Sequence, residues 1–408
     1  MPLWPTHIAI LSGESLTLLR VILKGDRDAP VLRGHPWIFS GAIEAVEGDP
    51  ESVGVVDVLD TRKQWIARGV YNPKSQIRVR VLTWAEEPID RDFFSRRMAQ
   101  ALQLRESYLS ATTTAYRLIN GEGDLIPGLI VDRYNDFLVC QFFTSGIDYF
   151  KDDIVAALSG LVSAKGIFER SEGKVRDEEG IEPSVGVLAG EAPPELISVE
   201  ENGYKFVVDL RRGQKTGFFL DQRDNRALLS TLASRQIVLN CFSYSGAFSV
   251  YALGGGAKKV ISLDSSKSAL ELAAKNLALN SLPTAGSELL KADAFAYLKE
   301  CDTRFDLIIL DPPSLAHRRS DVSAATGGYK FLNLHAFRHI HRGGLLLTFS
   351  CSQHLSIDLF QKIVFGAAVD AGRKVTLLKR LSQPIDHPVS LHHPEGEYLK
   401  GLMLRVLD

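Results

Sequence analysis

Two short segments of this sequence carry side chains that are suited to covalent chemistry. Asp311-Pro-Pro-Ser314 follows an apolar run that predicts a β-strand, and Cys351 stands between two serines at the end of another such run. A thiolate can add to an electron-poor carbon, for example C6 of a pyrimidine, and the addition makes the neighbouring C5 nucleophilic. An acid that can bond N3 of a cytosine would assist this step. We therefore predict Cys351 as a nucleophile and Asp311 as its partner acid.

The remaining cysteines and one histidine are weaker candidates for chemistry. Cys140, Cys241 and Cys301 are far apart in the sequence, and without a Cys-x-x-Cys spacing we expect neither a metal site nor disulfides. We expect them to be small buried hydrophobic residues, although Cys241 lies beside a predicted ligand turn and is the one competitor of Cys351. His354 lies close to Cys351 in sequence, but a structural role is favoured, and the proton acceptor is left unassigned.

The elements that must position these residues begin at about Gln236, where predicted strands alternate with turns and helices. This rhythm predicts a parallel sheet that binds a ligand at the carboxyl ends of its strands. Gly246 follows the first strand and could let the backbone approach that ligand. Asp264 ends the second strand and could accept hydrogen bonds from both hydroxyls of a ribose, unless it only caps a helix. Asp293 follows the third strand and could bond the amino group of an adenine.

The same region has no Gly-x-Gly-x-x-Gly fingerprint and no phosphate-binding loop. A ligand that contains adenosine but no pyrophosphate fits this combination, because the acids can bind the nucleoside and nothing is provided for phosphates. S-adenosylmethionine (SAM) is such a ligand. Its methyl sulfonium is also the electrophile that an activated pyrimidine C5 would attack.

The segment before the sheet mixes cations with aromatic residues. Lys215, Arg223 and Arg226 surround Phe218 and Phe219, a combination that suits a nucleic acid or the carboxylate of a cofactor. We predict that Lys215 and Arg226 bind RNA. The alternative is a solvated hairpin whose aromatic residues belong to the core.

The composition of the whole chain narrows the possible partners. A net charge of -2 over 408 residues means that any RNA contact must come from local basic patches. No apolar run reaches the roughly 18 residues of a membrane helix, and the first residues lack the basic flank and cleavage site of a signal peptide. We expect a cytoplasmic protein of two or three domains.

Three stretches of the chain differ in their patterns. Residues 15–88 contain short β-branched runs, such as Ile77-Arg-Val-Arg-Val-Leu82, and predict a small β-rich domain. Residues 89–195 predict a middle α+β domain, in which the acidic segment 177–194 is expected to be a loop or linker. Residues 196–408 predict a hairpin followed by the α/β domain.

Several motifs of the chain resemble those of the bacterial 23S ribosomal RNA cytosine-C5 methyltransferases. The resemblance covers nearly the whole chain from about residue 15, and the first residues look like an extension. The start is similar to the opening of that family's PUA domain, an RNA-binding β module. The motifs are Val31-Leu-Arg-Gly-His-Pro-Trp-Ile-Phe-Ser-Gly-Ala-Ile43, Gly213-Gln-Lys-Thr-Gly-Phe-Phe-Leu-Asp-Gln-Arg223, Asn240-Cys-Phe-Ser-Tyr-Ser-Gly-Ala-Phe248, Asp311-Pro-Pro-Ser314 and Ser350-Cys-Ser352.

This resemblance implies a PUA domain, a middle α+β domain and a C-terminal Rossmann-like methyltransferase domain. It implies that Cys351 is the nucleophile, that 23S ribosomal RNA is the substrate, that Arg33 and Trp37 contact RNA, and that the protein forms a homodimer. Through the motifs it also implies a cofactor and base site lined by Gln222, Arg223, Asn240, Phe242, Ser245, Gly246, Asp264, Asp293 and Asp311.

Three other functions stay open at this point. A guanine or base-amine methyltransferase of the same fold would need no thiol, although Ser314 stands where amine methyltransferases carry an aromatic residue. A non-catalytic RNA-binding or ribosome-assembly factor would not need the three acids Asp264, Asp293 and Asp311. A dehydrogenase is disfavoured because the dinucleotide fingerprint is missing.

Overall fold

A computed structural model describes residues 19–282, 284–316 and 318–408 of the chain. Residues 15–18, where the first domain is predicted to begin, lie outside the described residues. The predicted fold class is confirmed: a β-rich PUA-like domain and a middle α+β domain precede a Rossmann-like α/β domain. The strands form sheets of six, five, two and seven strands within the described residues.

The first domain is built on a six-stranded sheet in the order β2-β6-β5-β4-β1-β3. Val79 and Val81 in the last strand are buried, whereas Arg78 and Arg80 on the opposite face are only partly buried. This alternation is the one that the sequence predicts for a half-exposed strand. The elements are β1 (Leu19–Leu23), α1 (Ala29–Leu32), β2 (Trp37–Phe39), β3 (Ile43–Glu47), β4 (Gly54–Leu59), β5 (Trp65–Tyr71) and β6 (Ile77–Thr83).

The middle domain packs helices against a five-stranded sheet in the order β11-β10-β9-β8-β7. Its first helix begins where the Asp90 side chain accepts a hydrogen bond from the Phe93 amide, and Phe93, Phe94 and Met98 are buried. The elements are α2 (Arg91–Tyr108), β7 (Ala115–Asn120), β8 (Leu129–Tyr134), β9 (Phe137–Phe142), α3 (Ser145–Tyr149), α4 (Lys151–Leu161), β10 (Gly166–Ser171), α5 (Lys174–Glu179) and β11 (Ser184–Gly190).

The prediction of a loop or linker over residues 177–194 is wrong in part. Residues 177–179 end α5, and Ser184–Gly190 form β11, which pairs antiparallel with β10 at the edge of the sheet. Val185 and Val187 in β11 remain 52% and 45% exposed. The strand is therefore held by backbone hydrogen bonds more than by an apolar face, and such a strand leaves little periodicity in the sequence.

The third domain contains a short hairpin and a seven-stranded sheet in the order β16-β15-β14-β17-β18-β20-β19. Strands β14 to β18 run parallel, and β20 pairs antiparallel with β18 and β19. The first elements are β12 (Ile197–Glu201), β13 (Tyr204–Val208), α6 (Arg223–Leu232), β14 (Ile237–Cys241), α7 (Ala247–Gly254), β15 (Lys259–Asp264) and α8 (Lys267–Leu279). Those that follow are β16 (Ser287–Lys291), α9 (Ala294–Glu300), β17 (Phe305–Leu310), α10 (Val322–His339), β18 (Ile340–Ser350), α11 (Ile357–Asp370), β19 (Val375–Leu381) and β20 (Lys400–Val406).

The order of the parallel strands creates a crevice at one place in this sheet. The chain winds outward from β14 in one direction through β15 and β16, and in the other through β17 and β18. Both faces are covered, since Val238 and its neighbour Leu239 are each fully buried in separate apolar clusters. Ligands of open α/β sheets bind where the winding direction reverses, which here lies between the carboxyl ends of β14 and β17.

The segment between β19 and β20, residues 382–399, contacts all three domains. Asp386 accepts a hydrogen bond from the backbone of Arg117 in the middle domain and pairs with Arg223 in α6. The ring of His393 lies 4.4 Å from the ring of Trp37 in the first domain. This connecting segment is therefore part of the interface that joins the domains.

Candidate active site

A cavity of about 430 Å³ opens at the switch point of the sheet. This volume is within the range of small-molecule sites, about 300–1,000 Å³. Its wall includes six of the residues that the sequence predicts for catalysis or cofactor binding, namely Gln222, Phe242, Ser245, Asp264, Asp311 and Cys351. These residues come from the segment before α6 and from the turns after β14, β15, β17 and β18, so the topology brings distant motifs to one place.

The turn after β14 has an unusual backbone that Asp264 holds in place. Phe242 and Tyr244 have φ angles of 59° and 45°, a left-handed conformation that is uncommon for residues other than glycine. Asp264 Oδ2 accepts a hydrogen bond from the Tyr244 amide at 2.8 Å, and Oδ1 accepts one from the Ser266 amide at 2.9 Å. A carboxylate has about four acceptor positions. Asp264 can therefore anchor the turn and still accept hydrogen bonds from a ribose.

Gly246 is required by the packing of the turn. Its φ angle is +73°, and a Cβ atom at this position would lie 2.8 Å from the Ala273 Cβ in α8. Its two chain neighbours, Ser245 and Ala247, belong to the cavity wall. The predicted approach of its backbone to a ligand stays a prediction.

Three further residues predicted for the site lie outside the cavity wall. The Asn240 side chain is buried and donates to Ser249 Oγ at 2.9 Å. Asp293 caps α9 by accepting a hydrogen bond from the Ala296 amide, so its contact with an adenine stays a prediction. The Arg223 guanidinium is buried and donates to both oxygens of Asp386 at 2.8 Å. The prediction that Arg223 lines the site is therefore corrected, because this pair occupies its guanidinium beneath the surface.

Cys351 and Asp311 are both on the cavity wall, and burial changes the proton affinity of each. Burial raises the pKa of Asp311 to about 7, and the nearby charge of Asp221 adds to this effect, while Lys215 and a hydrogen bond from Gln222 oppose it. Burial also raises the pKa of the Cys351 thiol to about 11, against the lowering effect of Lys215. Asp311 can therefore exchange a proton near neutral pH, whereas the thiol requires a nearby cation to become a thiolate.

Cys351 differs from the other three cysteines in its position. All four lie within the described residues, and Cys351 is the one on the cavity wall. Cys241, the competitor named from the sequence, is fully buried in an apolar cluster, and this burial strongly raises the pKa of its thiol. A buried neutral thiol of this kind is unreactive.

Lys215 points its charge into the cavity. Its Nζ atom lies 2.6 Å from Asp221 Oδ2 and 4.7 Å from the centre of the Phe219 ring. Tyr398 donates from its hydroxyl to the same carboxylate oxygen at 2.8 Å. Burial alone would raise the pKa of Asp221, but Lys215 and these hydrogen bonds keep it well below its usual range. Lys215 therefore shares the cavity wall with Asp311 and Cys351, and because its side chain is 37% exposed, its contact with RNA stays a prediction.

Asp221 is a charged residue of this site that the sequence analysis did not identify. It is 3% exposed and belongs to the cavity wall. Its position between Phe219 and Gln222, within a motif that also carries Lys215 and Arg223, could have indicated that it belongs to the site.

The cavity wall fits an adenosine-containing ligand with additional polar groups. Asp221 Oδ1 and Ser243 Oγ are buried, belong to residues of the wall and have no hydrogen-bond partner. Buried polar atoms without partners are rare in folded proteins and often belong to ligand sites. Asp264 can hold the ribose, and Phe242 and Phe219 offer apolar surface to a base.

Arg33 and Trp37, the two residues of the first domain that are predicted to contact RNA, differ in their exposure. Arg33 is exposed just after α1. Trp37 is partly buried, and its indole nitrogen donates to Glu122 Oε1 in the middle domain at 2.8 Å. Its ring also contacts His393 of the third domain, so Trp37 takes part in contacts between domains, and its contact with RNA stays a prediction.

Arg226 belongs to the cavity wall, and its predicted contact with RNA stays a prediction that its ion pair makes costly. It is 1% exposed, and its guanidinium donates to both carboxylate oxygens of Glu201 at 2.8 and 2.6 Å. The same group lies 4.8 Å from the centre of the Phe218 ring. A guanidinium enclosed in this way cannot reach a phosphate without breaking a buried ion pair.

Neither a membrane-spanning helix nor a metal-binding cluster is present in the part of the chain that the structure describes. No helix there is long and apolar enough to cross a membrane. The same residues contain no group of three or more His, Cys, Asp or Glu side chains arranged to hold a metal ion.

Comparisons with known proteins agree with the fold and the cavity. The profile of a PUA-like domain matches residues 21–84. The profile of the S-adenosylmethionine-dependent methyltransferases matches residues 175–392. This chain belongs to the S-adenosylmethionine-dependent methyltransferase family, and SAM is its cofactor.

Similar proteins share nearly the full length of the chain. The Ribosomal RNA large subunit methyltransferase I of Tolumonas auensis is 49% identical over 393 residues, which are 95% of this chain and 99% of that protein. The protein of the same name from Aeromonas salmonicida is 46% identical over 389 residues, 94% of this chain and 98% of its own length.

Two solved structures are similar to this fold over 95% of the chain and 100% of their own length. A SAM-dependent methyltransferase from Streptococcus mutans has a TM-score of 0.82 at 25% identity. A methyltransferase crystallised with S-adenosylhomocysteine (SAH) has a TM-score of 0.83 at 26% identity.

Proposed function

We propose that this protein transfers a methyl group from SAM to C5 of a cytosine in 23S ribosomal RNA through a covalent bond between Cys351 and C6. The observation that carries the proposal is the presence of Cys351 and Asp311 on the wall of one cavity. A base-amine or guanine methyltransferase would have no use for the thiol at this position. The names of the similar proteins support the ribosomal RNA of the large subunit as the substrate.

In this mechanism Cys351 provides the nucleophile. Its thiolate adds to C6 of the cytosine, forming a carbon–sulfur bond, and the electron pair of the C5–C6 double bond becomes available at C5. After methylation, a base removes the C5 proton, the electron pair of that bond restores the C5–C6 double bond as the thiolate leaves C6, and the N3 proton returns to Asp311. Lys215 supports the first step, because its charge on the cavity wall favours the thiolate.

Asp311 acts as the acid that makes this addition possible. Charge develops on the cytosine ring when the sulfur adds, and a proton donated to N3 neutralises it. The pKa of Asp311, about 7, means that a substantial fraction is protonated at neutral pH. An ordinary aspartate would be almost fully ionised and could not donate.

The residues that would hold the cofactor belong mostly to the same cavity wall. SAM supplies the methyl group, which is electrophilic because it is attached to a positively charged sulfur. Asp264 would accept from the ribose hydroxyls, and Phe242 and Ser245 in the turn after β14 would contact the nucleoside. Asp293, at the end of the neighbouring strand β16, is proposed for the adenine amino group.

The test uses SAM labelled with tritium in its methyl group, protein-free 23S ribosomal RNA and analysis of the product nucleosides. We expect label in 5-methylcytidine for the native protein and for Cys301→Ala, and none for Cys351→Ala. Cys301 is a suitable control because it is also partly buried but is not on the cavity wall. Label in a methylated guanosine, or an active Cys351→Ala protein, would contradict the mechanism. Absence of label with the native protein would contradict naked RNA as the substrate.

A second experiment traps the covalent intermediate between the protein and the RNA. RNA that contains 5-fluorocytidine has no C5 proton to lose, so the carbon–sulfur bond formed by Cys351 should persist. We expect a protein–RNA band on denaturing gels with the native protein and with Cys301→Ala. A band of equal intensity from Cys351→Ala would exclude this cysteine as the nucleophile.

We also propose that two copies of the chain form a homodimer in the cytoplasm, as the family resemblance implies. An apolar groove between α11 and β19 supports this proposal, since Phe365 and Val369 in its wall are 68% and 57% exposed. Large exposed apolar patches usually mark interaction surfaces. Light scattering should give twice the mass of the 45.0 kDa chain, and Phe365→Glu should reduce it to that of one chain.

A further inference from the structure

The two serines beside Cys351 share one buried tyrosine. Tyr329 in α10 is fully buried. Ser350 Oγ donates to the Tyr329 hydroxyl at 2.9 Å, and the same hydroxyl lies 3.0 Å from Ser352 Oγ. The residues on both sides of the proposed nucleophile are therefore attached to a single oxygen atom.

The same hydrogen-bond network reaches the turn that carries Asp311. Ser352 Oγ lies 3.0 Å from Ser314 Oγ and accepts from the Ala316 amide at 3.2 Å. Ser314 ends the Asp311-Pro-Pro-Ser motif. From the opposite side, Lys400 in β20 donates from Nζ to the Ser352 carbonyl at 2.7 Å. The Cys351 turn and the Asp311 turn are thus joined to each other as well as to Tyr329.

We propose that Tyr329 is a positioning residue for methyl transfer, because its hydroxyl holds both serines of the Cys351 turn and one of them, Ser352, in turn holds the Asp311 turn. This inference rests on the proposed function, in which both side chains act on one pyrimidine ring. Tyr329 is not part of the cavity wall, so it acts through the serines and not on the substrate. The sulfur and the acid must reach C6 and N3 together, and small displacements of reacting groups are costly.

The hydroxyl can be tested separately from the ring. The Tyr329 ring packs edge-on against Phe360, with the centres 5.5 Å apart. Tyr329→Phe keeps this packing and removes only the oxygen. Tyr251→Phe is a matched control, because Tyr251 is 1% exposed and its hydroxyl donates to the Glu201 carbonyl at 3.0 Å and accepts from Asn202 at 3.1 Å. Ser350→Ala removes the same hydrogen bond from its other end.

We expect Tyr329→Phe and Ser350→Ala each to lower kcat by about 10- to 100-fold, as loss of alignment does. KM for the RNA and the Kd for SAH should stay unchanged, since neither residue contacts a ligand. The double variant should lose little more than Tyr329→Phe alone, because that change already removes the hydrogen bond that Ser350→Ala breaks. Tyr251→Phe should keep the native kcat even if its melting temperature falls as much as that of Tyr329→Phe.

Cys351→Ala, measured in parallel, distinguishes a failure of the positioning role of Tyr329 from a failure of the proposed mechanism. An inactive Cys351→Ala protein with a native kcat for Tyr329→Phe would overturn the positioning role alone. An active Cys351→Ala protein would overturn the proposed mechanism and the positioning role with it. A fall in kcat that Tyr251→Phe reproduces, or a change confined to KM, would also overturn the role of Tyr329.

Discussion

Lys215 Nζ lies 2.6 Å from Asp221 Oδ2, and this ion pair is on the wall of the cavity that also contains Cys351. The carboxylate fixes the position of the ammonium. The ammonium in turn favours the thiolate form of Cys351, whose pKa burial raises to about 11. The pair therefore influences the chemistry without contacting the reacting carbon.

The first prediction follows from this charge. Lys215→Met should lower the fraction of Cys351 thiolate, so its alkylation by iodoacetamide at about pH 8 should slow by roughly threefold to thirtyfold. Lys151→Met is the control, because Lys151 also contacts carboxylates, Asp148 and Glu169, and lies 5.1 Å from the centre of a Phe142 ring. Mass spectrometry of the peptide that contains Cys351 gives the rate. Equal alkylation rates in both variants would contradict the prediction.

A second prediction concerns stability and pH. The pKa of Asp311 is raised from 3.8 to about 7 in the fold. Between these values the folded state binds the proton more tightly than the unfolded state, so the free energy of unfolding falls as the pH rises. Asp311→Asn cannot ionise and avoids this loss. Its melting temperature should therefore exceed that of the native protein above pH 7, and the difference should shrink towards acidic pH.

The same variant should be catalytically impaired, because an amide cannot donate the proton of an acid to N3. Greater stability with lower kcat is a common combination for active-site residues. Thermal scans on both sides of neutral pH, together with kcat, test this pair of effects. A melting-temperature difference that does not change with pH would show that Asp311 does not titrate in the fold with a raised pKa.

A third prediction separates stability from RNA binding at Arg226. Arg226→Met leaves Glu201 buried without its partner and should cost about 3–5 kcal/mol in the free energy of unfolding. Arg226→Met combined with Glu201→Leu should recover much of this loss, because no unpaired charge remains. Denaturant titrations measure both values. RNA affinity of the folded fraction should keep its native salt dependence, and a smaller salt dependence would support Arg226 as an RNA contact.

A fourth prediction concerns Arg33, whose substitution should weaken RNA binding without lowering stability. It is exposed on the first domain, so Arg33→Ala should leave the free energy of unfolding nearly unchanged. If Arg33 contacts a phosphate, the slope of log affinity against log salt should fall by about 1. Filter binding over a series of salt concentrations measures this slope. An unchanged slope would mean that RNA binds elsewhere on the protein.

Much of the site could be predicted because a parallel sheet brings the ends of its strands together. Asp264, Asp311 and Cys351 are distant in the sequence, yet Asp264 ends a strand and the other two directly follow one, and the strand order places them around one cavity. The strand pattern was strong because both faces of this sheet are buried. The fold class and SAM as the cofactor could therefore be predicted from the strand pattern and from the residues at the strand ends.

The partners of charged residues could not be predicted in this way. Arg226 pairs with Glu201 in the preceding hairpin, and Arg223 pairs with Asp386 from the segment before β20. Nothing in the sequence distinguishes an arginine that is paired beneath the surface from one that faces RNA. Tyr329 was equally hidden, since a tyrosine within a helix is usually interpreted as core, and its role depends on a hydroxyl that contacts both serines of the Cys351 turn.

The segment 382–399 has a consequence for how this protein can be divided or recombined. Its contacts with Trp37, Arg117 and Arg223 reach all three domains, although it lies close to the end of the chain. A ribosome that has synthesised only the first two domains has made the direct contacts between them, such as that of Trp37 with Glu122, but not those of this late segment. A chimera that exchanges the RNA-binding module must therefore bring a matching version of the segment, or the foreign module will lack part of its contact surface.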